Sequence, residues 1–73
     1  MAVEKVKSEI TGKVWKLIAK PGQKLAEEET IILIESMKME IPVMAPAACT
    51  LKRVLVGEGD DVAEGQDLAE IEL

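Results

Sequence analysis

The sequence predicts an all-β protein, a barrel or sandwich built on an internal two-fold repeat. Three observations carry that prediction. The chain partly matches itself at an offset of 37 residues, "GKVWKLIAKPGQKLAEEETIILIES" (12–36) lying over "CTLKRVLVGEGDDVAEGQDLAEIEL" (49–73). Only five of the 25 aligned positions are identical, but the apolar positions coincide: Val14, Leu17, Ile18, Leu25 and Ile31 meet Leu51, Val54, Leu55, Val62 and Leu68. Such self-similarity marks a repeated supersecondary unit with two-fold pseudo-symmetry. The apolar segments are also short, often β-branched, and separated by Gly, Pro or acidic clusters. Finally, no stretch sustains the 3.6-residue period of an amphipathic helix.

Residues 14–19 read as the first clear strand and "KPGQ" (20–23) as the turn that follows it. "LAEEET" (25–30) contains good helix formers, but it is short and its counterpart "VAEGQD" (62–67) holds Gly65, so a turn between strands is predicted. Residues 31–44 have strand character throughout and no Gly or Asn, whereas strands run about 3 to 10 residues, so the chain must fold back. A tip at Met37-Lys38 pairs Ser36 with Met39, Glu35 with Glu40, Ile34 with Ile41 and Ile32 with Val43. That register gathers the four β-branched residues on one face, as a half-buried hairpin requires. Met-Lys is unusual at such a tip, because tight hairpins favour Asn-Gly or Asp-Gly, which tolerate positive φ. Departures from local preference concentrate at functional sites, so the turn is where function is sought. Residues 50–56 and 67–71 are the remaining predicted strands, with "GEGDD" (57–61) as the turn equivalent to "KPGQ".

A length of 73 residues implies one domain, residues 1–73, with a small core. One tryptophan and no phenylalanine or tyrosine make that core aliphatic. The single cysteine, Cys49, cannot close an internal disulfide, and without histidine no zinc site is expected. A net charge of −5 argues against nucleic acid, whose phosphates call for clustered Lys and Arg. The first residues have no signal-peptide core and the longest apolar run, 31–34, is far too short for a membrane span, so a cytoplasmic protein with no membrane partner is expected. "GEGDD" lacks the spacing of a calcium loop, and its acids repel phosphate. With no histidine, metal cluster or buried acid pair to name, no catalytic residue is assigned. Cys49 is expected as a small buried residue, Trp15 as a core or edge anchor, and the acidic run 27–29 as a solvated turn.

Lys38 sits at the predicted apex. A lysine that attacks unaided needs a lowered pKa, from burial or a neighbouring cation. Its nearest charged neighbours in sequence are Glu35 and Glu40, which favour the ammonium form. A second enzyme would have to activate an acyl donor and present it to this amine, which is the logic of a carrier. At this point "ESMKME" (35–40) resembles the attachment motif of the biotinyl/lipoyl domain family, in which a lysine between two methionines receives biotin through an amide bond. The resemblance extends to "GKVWK" near the start and "EGDDV" in the second half, and covers essentially the whole chain. It implies a flattened antiparallel barrel of two four-stranded sheets, a barrel-sandwich hybrid, with the modified Lys38 on a hairpin turn at one end and both termini near the other. Met37 and Met39 are then an apolar collar that partner enzymes recognise, Met37 exposed and Met39 partly buried. Glu35 and Glu40 are either a solvated rim or recognition residues for a ligase or partner.

The resemblance implies biotin or lipoic acid as the covalent group. Methionine on both sides of the lysine favours biotin, since lipoyl domains typically carry an acidic residue before the lysine and a small one after it. The small free-standing attachment proteins that share "ESMKME" accept either group, so a lipoylated Lys38, loaded by a lipoyl ligase for acyl or aminomethyl transfer, is the alternative. In the biotin reading a biotin protein ligase modifies Lys38, and the carrier shuttles the carboxylated biotin between a biotin carboxylase and a carboxyltransferase. Without the Ala/Pro-rich linker that tethers many relatives, the chain is expected to act as a monomeric, diffusing carrier. A reading from another class is an unmodified docking or adaptor module, and replacing Lys38 discriminates: a docking module keeps working and a carrier falls silent. One place departs from the family pattern. Where glycine is common after Ala-Pro this chain has Cys49, aligned by the repeat with Gly12. A cysteine with positive φ would be strained, so this turn, though not the role of Lys38, is open to departure from the family pattern.

Overall fold

The computed structural model describes residues 2–73. Its strands are β1 (Val3–Lys7), β2 (Gly12–Leu17), β3 (Lys24–Leu25), β4 (Thr30–Ser36), β5 (Met39–Met44), β6 (Cys49–Val54), β7 (Asp61–Val62) and β8 (Asp67–Glu72). They build two four-stranded antiparallel sheets, in the orders β1-β8-β6-β3 and β5-β4-β2-β7. The all-β class and the two-sheet arrangement are as expected. Two predicted strands end earlier than the sequence suggested, at Leu17 and Val54 rather than at residues 19 and 56. Three strands were not anticipated. Residues 3–7 turn only Val6 into the core, and two-residue strands such as β3 and β7 are too short to show alternation.

The repeat is closer than five identities suggest. Strands β2, β3 and β4 recur 37 residues later as β6, β7 and β8. The irregularities recur as well. Pairing skips Trp15 between Val14↔Ile34 and Lys16↔Leu33, and skips Lys52 between Leu51↔Ile71 and Arg53↔Glu70. It likewise skips Ile31 on β4 and Leu68 on β8. These bulges explain a pattern that strict alternation would forbid: Ile31 and Ile32, and equally Leu68 and Ala69, are consecutive and all 0% exposed. Bulging also decides against the core for Trp15, which was expected as a core or edge anchor. Left without a cross-strand partner, it is 46% exposed, with Lys16 Nζ 5.6 Å from the ring centroid.

Turns correspond in the same way. Gly22 and Gly59 adopt φ of 90° and 89°, and donate to Leu51 O at 2.7 Å and Val14 O at 2.8 Å. At the next turn Glu28 has φ 69° where its counterpart Gly65 has 85°, and the two amides donate to Ala45 O and Ser8 O. The "EEE" run is therefore a turn, as expected, but a strained one. Exchange of β3 and β7 ties the halves together, because each two-residue strand pairs with the other half's long strand. The core draws on both halves, with Ile31, Ile32 and Ile34 packed with Leu51, Leu68 and Ile71.

Candidate attachment hairpin

Strands β4 and β5 pair Ile32↔Val43, Ile34↔Ile41, Glu35↔Glu40 and Ser36↔Met39, which is the register read from the sequence. Burial fixes it. Ile32 and Ile34 are fully buried with Ile41 and Val43 half-buried beside them, and a one-residue slip would turn the whole set to solvent. The two residues left over, Met37 and Lys38, make the turn with φ of 51° and 66°. Positive φ at both central positions is the type I′ pattern, whose twist matches the strands it joins. Neither side chain suits it: left-handed backbone costs about 1–2 kcal/mol for an ordinary L-residue. The unusual tip predicted from sequence is therefore strained in fact.

Lys38 is exposed, and Met37 is 92% exposed. Met39 is 62% exposed rather than partly buried. It lies on the same face as Ile41, but the core stops at Ile41 and leaves nothing for Met39 to cover. Glu35 and Glu40 stand directly opposite each other and both are exposed. Like charges in that position repel. Lys13 pairs with Glu35 on the other side, but the ion pairs among the described residues (Lys5 and Lys7 with Asp67, Arg53 with Glu70) leave the hairpin out. The tip thus presents one amine, two thioethers and two carboxylates to solvent.

Two residues that sequence reasoning passed over hold this hairpin in place. Ser36 Oγ donates to Thr11 O at 3.1 Å, tying the end of β4 to the start of β2. Beneath it lies Gly12, where a Cβ would meet Glu35 O at 2.6 Å and Ile34 Cγ2 at 2.8 Å. Glycine is required there for close approach rather than for its backbone angle. The signal was available, since Gly12 opens both "GKVWK" and the repeat. Its counterpart Cys49 is buried as expected and is not among the positive-φ residues, so cysteine sits there without the strain that a left-handed turn would impose. Cys49 starts β6 opposite Leu25 and borders a shallow groove with Glu72 and Leu73, which leaves space for its side chain. Burial, and secondarily the Glu29 carboxylate, push its thiol pKa up.

The geometry suits a tethered group. Two surface grooves, of about 680 Å³ and about 590 Å³, are lined by neither Met37 nor Lys38. Leu73 N donates to Ala2 O at 2.8 Å, and Leu73 shares the smaller groove with Glu29, next to the start of β4. Ala2 and Leu73 therefore lie at the opposite end from the turn in a molecule measuring 36 × 17 × 17 Å.

An all-β scaffold that projects an exposed lysine from a strained turn is compatible with a carrier domain. The family model described as "Biotin-requiring enzyme", that of the biotin/lipoyl domains, matches residues 2–71, and the chain belongs to this family of attachment domains, which carry a covalent group and are not themselves catalysts. The biotin/lipoyl attachment protein of Bacillus subtilis (strain 168) is 38% identical over 66 residues, covering 90% of each chain. A biotinylated protein TB7.3 homolog of Mycobacterium leprae (strain TN) is 37% identical over 68 residues, covering 93% of this chain and 96% of that one. Among solved structures, the urea carboxylase of Kluyveromyces lactis superposes with a TM-score of 0.92 at 34% identity, over 97% of this chain and 6% of that enzyme.

Proposed function

We propose that this protein is a carrier biotinylated on Lys38 Nζ, which moves a carboxyl group between a biotin carboxylase and a carboxyltransferase. The observation that carries the reading is the turn: a lysine in left-handed backbone, exposed and outside the ion pairs among the described residues, at the far end of the barrel from Ala2 and Leu73. In the loading step a biotin protein ligase supplies biotinyl-adenylate. The Lys38 amine, relieved of its proton in the ligase site, attacks the acyl carbon. The amide C–N bond forms, the mixed-anhydride C–O bond breaks, and AMP leaves. Met37 and Met39 offer the ligase soft apolar contacts on both sides of the amine, and Glu35 with Glu40 offer it negative charge.

The bound biotin supplies the nitrogen that is carboxylated, and the protein supplies position. A tether on a stiff hairpin gives the group a high effective concentration in whichever active site the tip docks. Lipoylation is the second reading, supported by the name of the Bacillus subtilis relative, which covers both groups. Intact-protein mass spectrometry after co-expression with a biotin ligase, and separately with a lipoyl ligase, tests both. A biotinyl increment mapped to Lys38 and absent from Lys38→Arg is the expected result. A lipoyl increment alone would move the carrier to acyl or aminomethyl transfer. No increment with either ligase would leave an unmodified docking module as the better account.

A further inference from the structure

We infer that Met37 and Met39 are an oxidant-sensitive gate on the attachment lysine: a hydroperoxide converts their thioethers to sulfoxides and thereby lowers loading of Lys38. The inference rests on the attachment reading above, but its evidence is the distribution of sulfur over the fold. The only thiol, Cys49, is buried, and burial and Glu29 both favour its protonated, unreactive form. The thioethers among the described residues are placed in the opposite way. Met37 is 92% exposed, Met39 62% and Met44 46%, so the two most accessible of these sulfurs flank one lysine. Susceptibility of methionine follows exposure, which ranks them Met37, Met39, Met44.

The chemistry balances simply. The sulfur lone pair attacks one oxygen of hydrogen peroxide, the S–O bond forms, the O–O bond breaks, and water leaves with the second oxygen. Sulfur is oxidised by two electrons and peroxide is reduced by two. A sulfoxide reductase with a dithiol returns the thioether, yielding a disulfide and water. The gate follows from what a sulfoxide is. It turns a soft apolar contact into a strongly polar acceptor. A ligase surface shaped for a thioether leaves that oxygen desolvated and unpaired, a penalty that corresponds to about a tenfold loss of loading rate for each gating sulfur. Nothing in the fold should yield meanwhile, because both side chains lie outside the core.

The test uses the intact apo chain treated with hydrogen peroxide, peptide mapping of each sulfoxide, and the biotinylation rate before and after oxidation. Peptides should oxidise in the order Met37, Met39, Met44, with the loading rate falling at least about tenfold as Met37 is converted and recovering after methionine sulfoxide reductase. The oxidised-to-reduced rate ratio should stay near one in Met37→Leu/Met39→Leu and fall as in the wild type in Met44→Leu. Thermal unfolding of every species confirms that the barrel is intact. An unchanged loading rate in chains fully oxidised at both positions would overturn the gate and leave the attachment reading standing. A rate lost in Met37→Leu/Met39→Leu on oxidation, or not recovered by the reductase in the wild type, would also overturn it. Failure of the reduced chain to load at all would remove both.

Discussion

Met37 and Lys38 hold left-handed backbone that neither side chain favours, and this strain is stored where the proposed function needs a lysine. Replacing the pair by Asn-Gly should raise unfolding stability by about 1 kcal/mol while removing any acceptor, as measured by urea denaturation. A loss of stability would mean the turn is relaxed as it stands. Lys38→Arg keeps the backbone preference and should change stability by no more than about 0.5 kcal/mol. Glu28 presents the same problem without an evident return. Its repeat counterpart is Gly65, and Glu28→Gly should stabilise by about 0.5 kcal/mol or more even after the entropy that glycine adds to the unfolded chain. Thermal melts of both chains would show it. Cys49 gives a pH signature. Its folded pKa lies above the ordinary value of 9.0, so the folded protein holds the proton more tightly than the unfolded chain. That contribution is complete below the unfolded value and is lost as pH rises through the folded one. The stability difference between wild type and Cys49→Ala should therefore shrink on titration above the ordinary value of 9.0, and a constant difference would contradict it.

At the level of elements, the hairpin is positioned from below by the start of β2. Gly12→Ala would drive a Cβ to 2.6 Å from a backbone oxygen of Glu35, which has no rotamer to escape into. About 1–3 kcal/mol of stability should be lost, with slower loading of Lys38 as the β4–β5 hairpin shifts. Gly57→Ala serves as the contrast, since its Cβ would meet only the side chain of Asp60 at 3.6 Å. Equal effects at the two glycines would mean the close approach is unimportant. The hairpin was legible in the sequence because one register alone buries Ile32 and Ile34 together with Ile41 and Val43. Strands β3 and β7 were not, because two residues carry no period, and β1 was not, because only Val6 faces inward. Trp15 misled for a physical reason: an aromatic side chain suggests burial, but the bulge skips it. Met39 was expected partly buried and is exposed, because the core ends at Ile41 on the face they share. The strain at Glu28 was within reach, since the repeat sets it against Gly65.

For the whole molecule, the repeat raises the question of whether each half is a folding unit. The topology answers that it is not. Each sheet takes its last strand from the other half, β3 pairing with β6 and β7 with β2. Strand β1 pairs only with β8, at the opposite end of the chain, so the first half cannot complete even one sheet alone. Fully buried side chains alternate in origin too, Ile31, Ile32 and Ile34 meeting Leu51, Leu68 and Ile71 in one cluster. A fragment of residues 2–46 would expose its share of that cluster, and one of residues 47–73 is below the roughly 40 residues at which unaided domains become rare. Each fragment alone should lack a cooperative thermal transition by far-UV circular dichroism, and an equimolar mixture should recover one. Contacts this distant in sequence also predict slow folding, on the order of milliseconds to seconds in stopped-flow refolding of the intact chain. A cooperative melt from either fragment alone would show that the exchanged strands are decoration. Its absence, with recovery on mixing, would mean that the stiffness of the tip depends on the entire chain, because the sheet presenting Lys38 is closed by a strand from the other half.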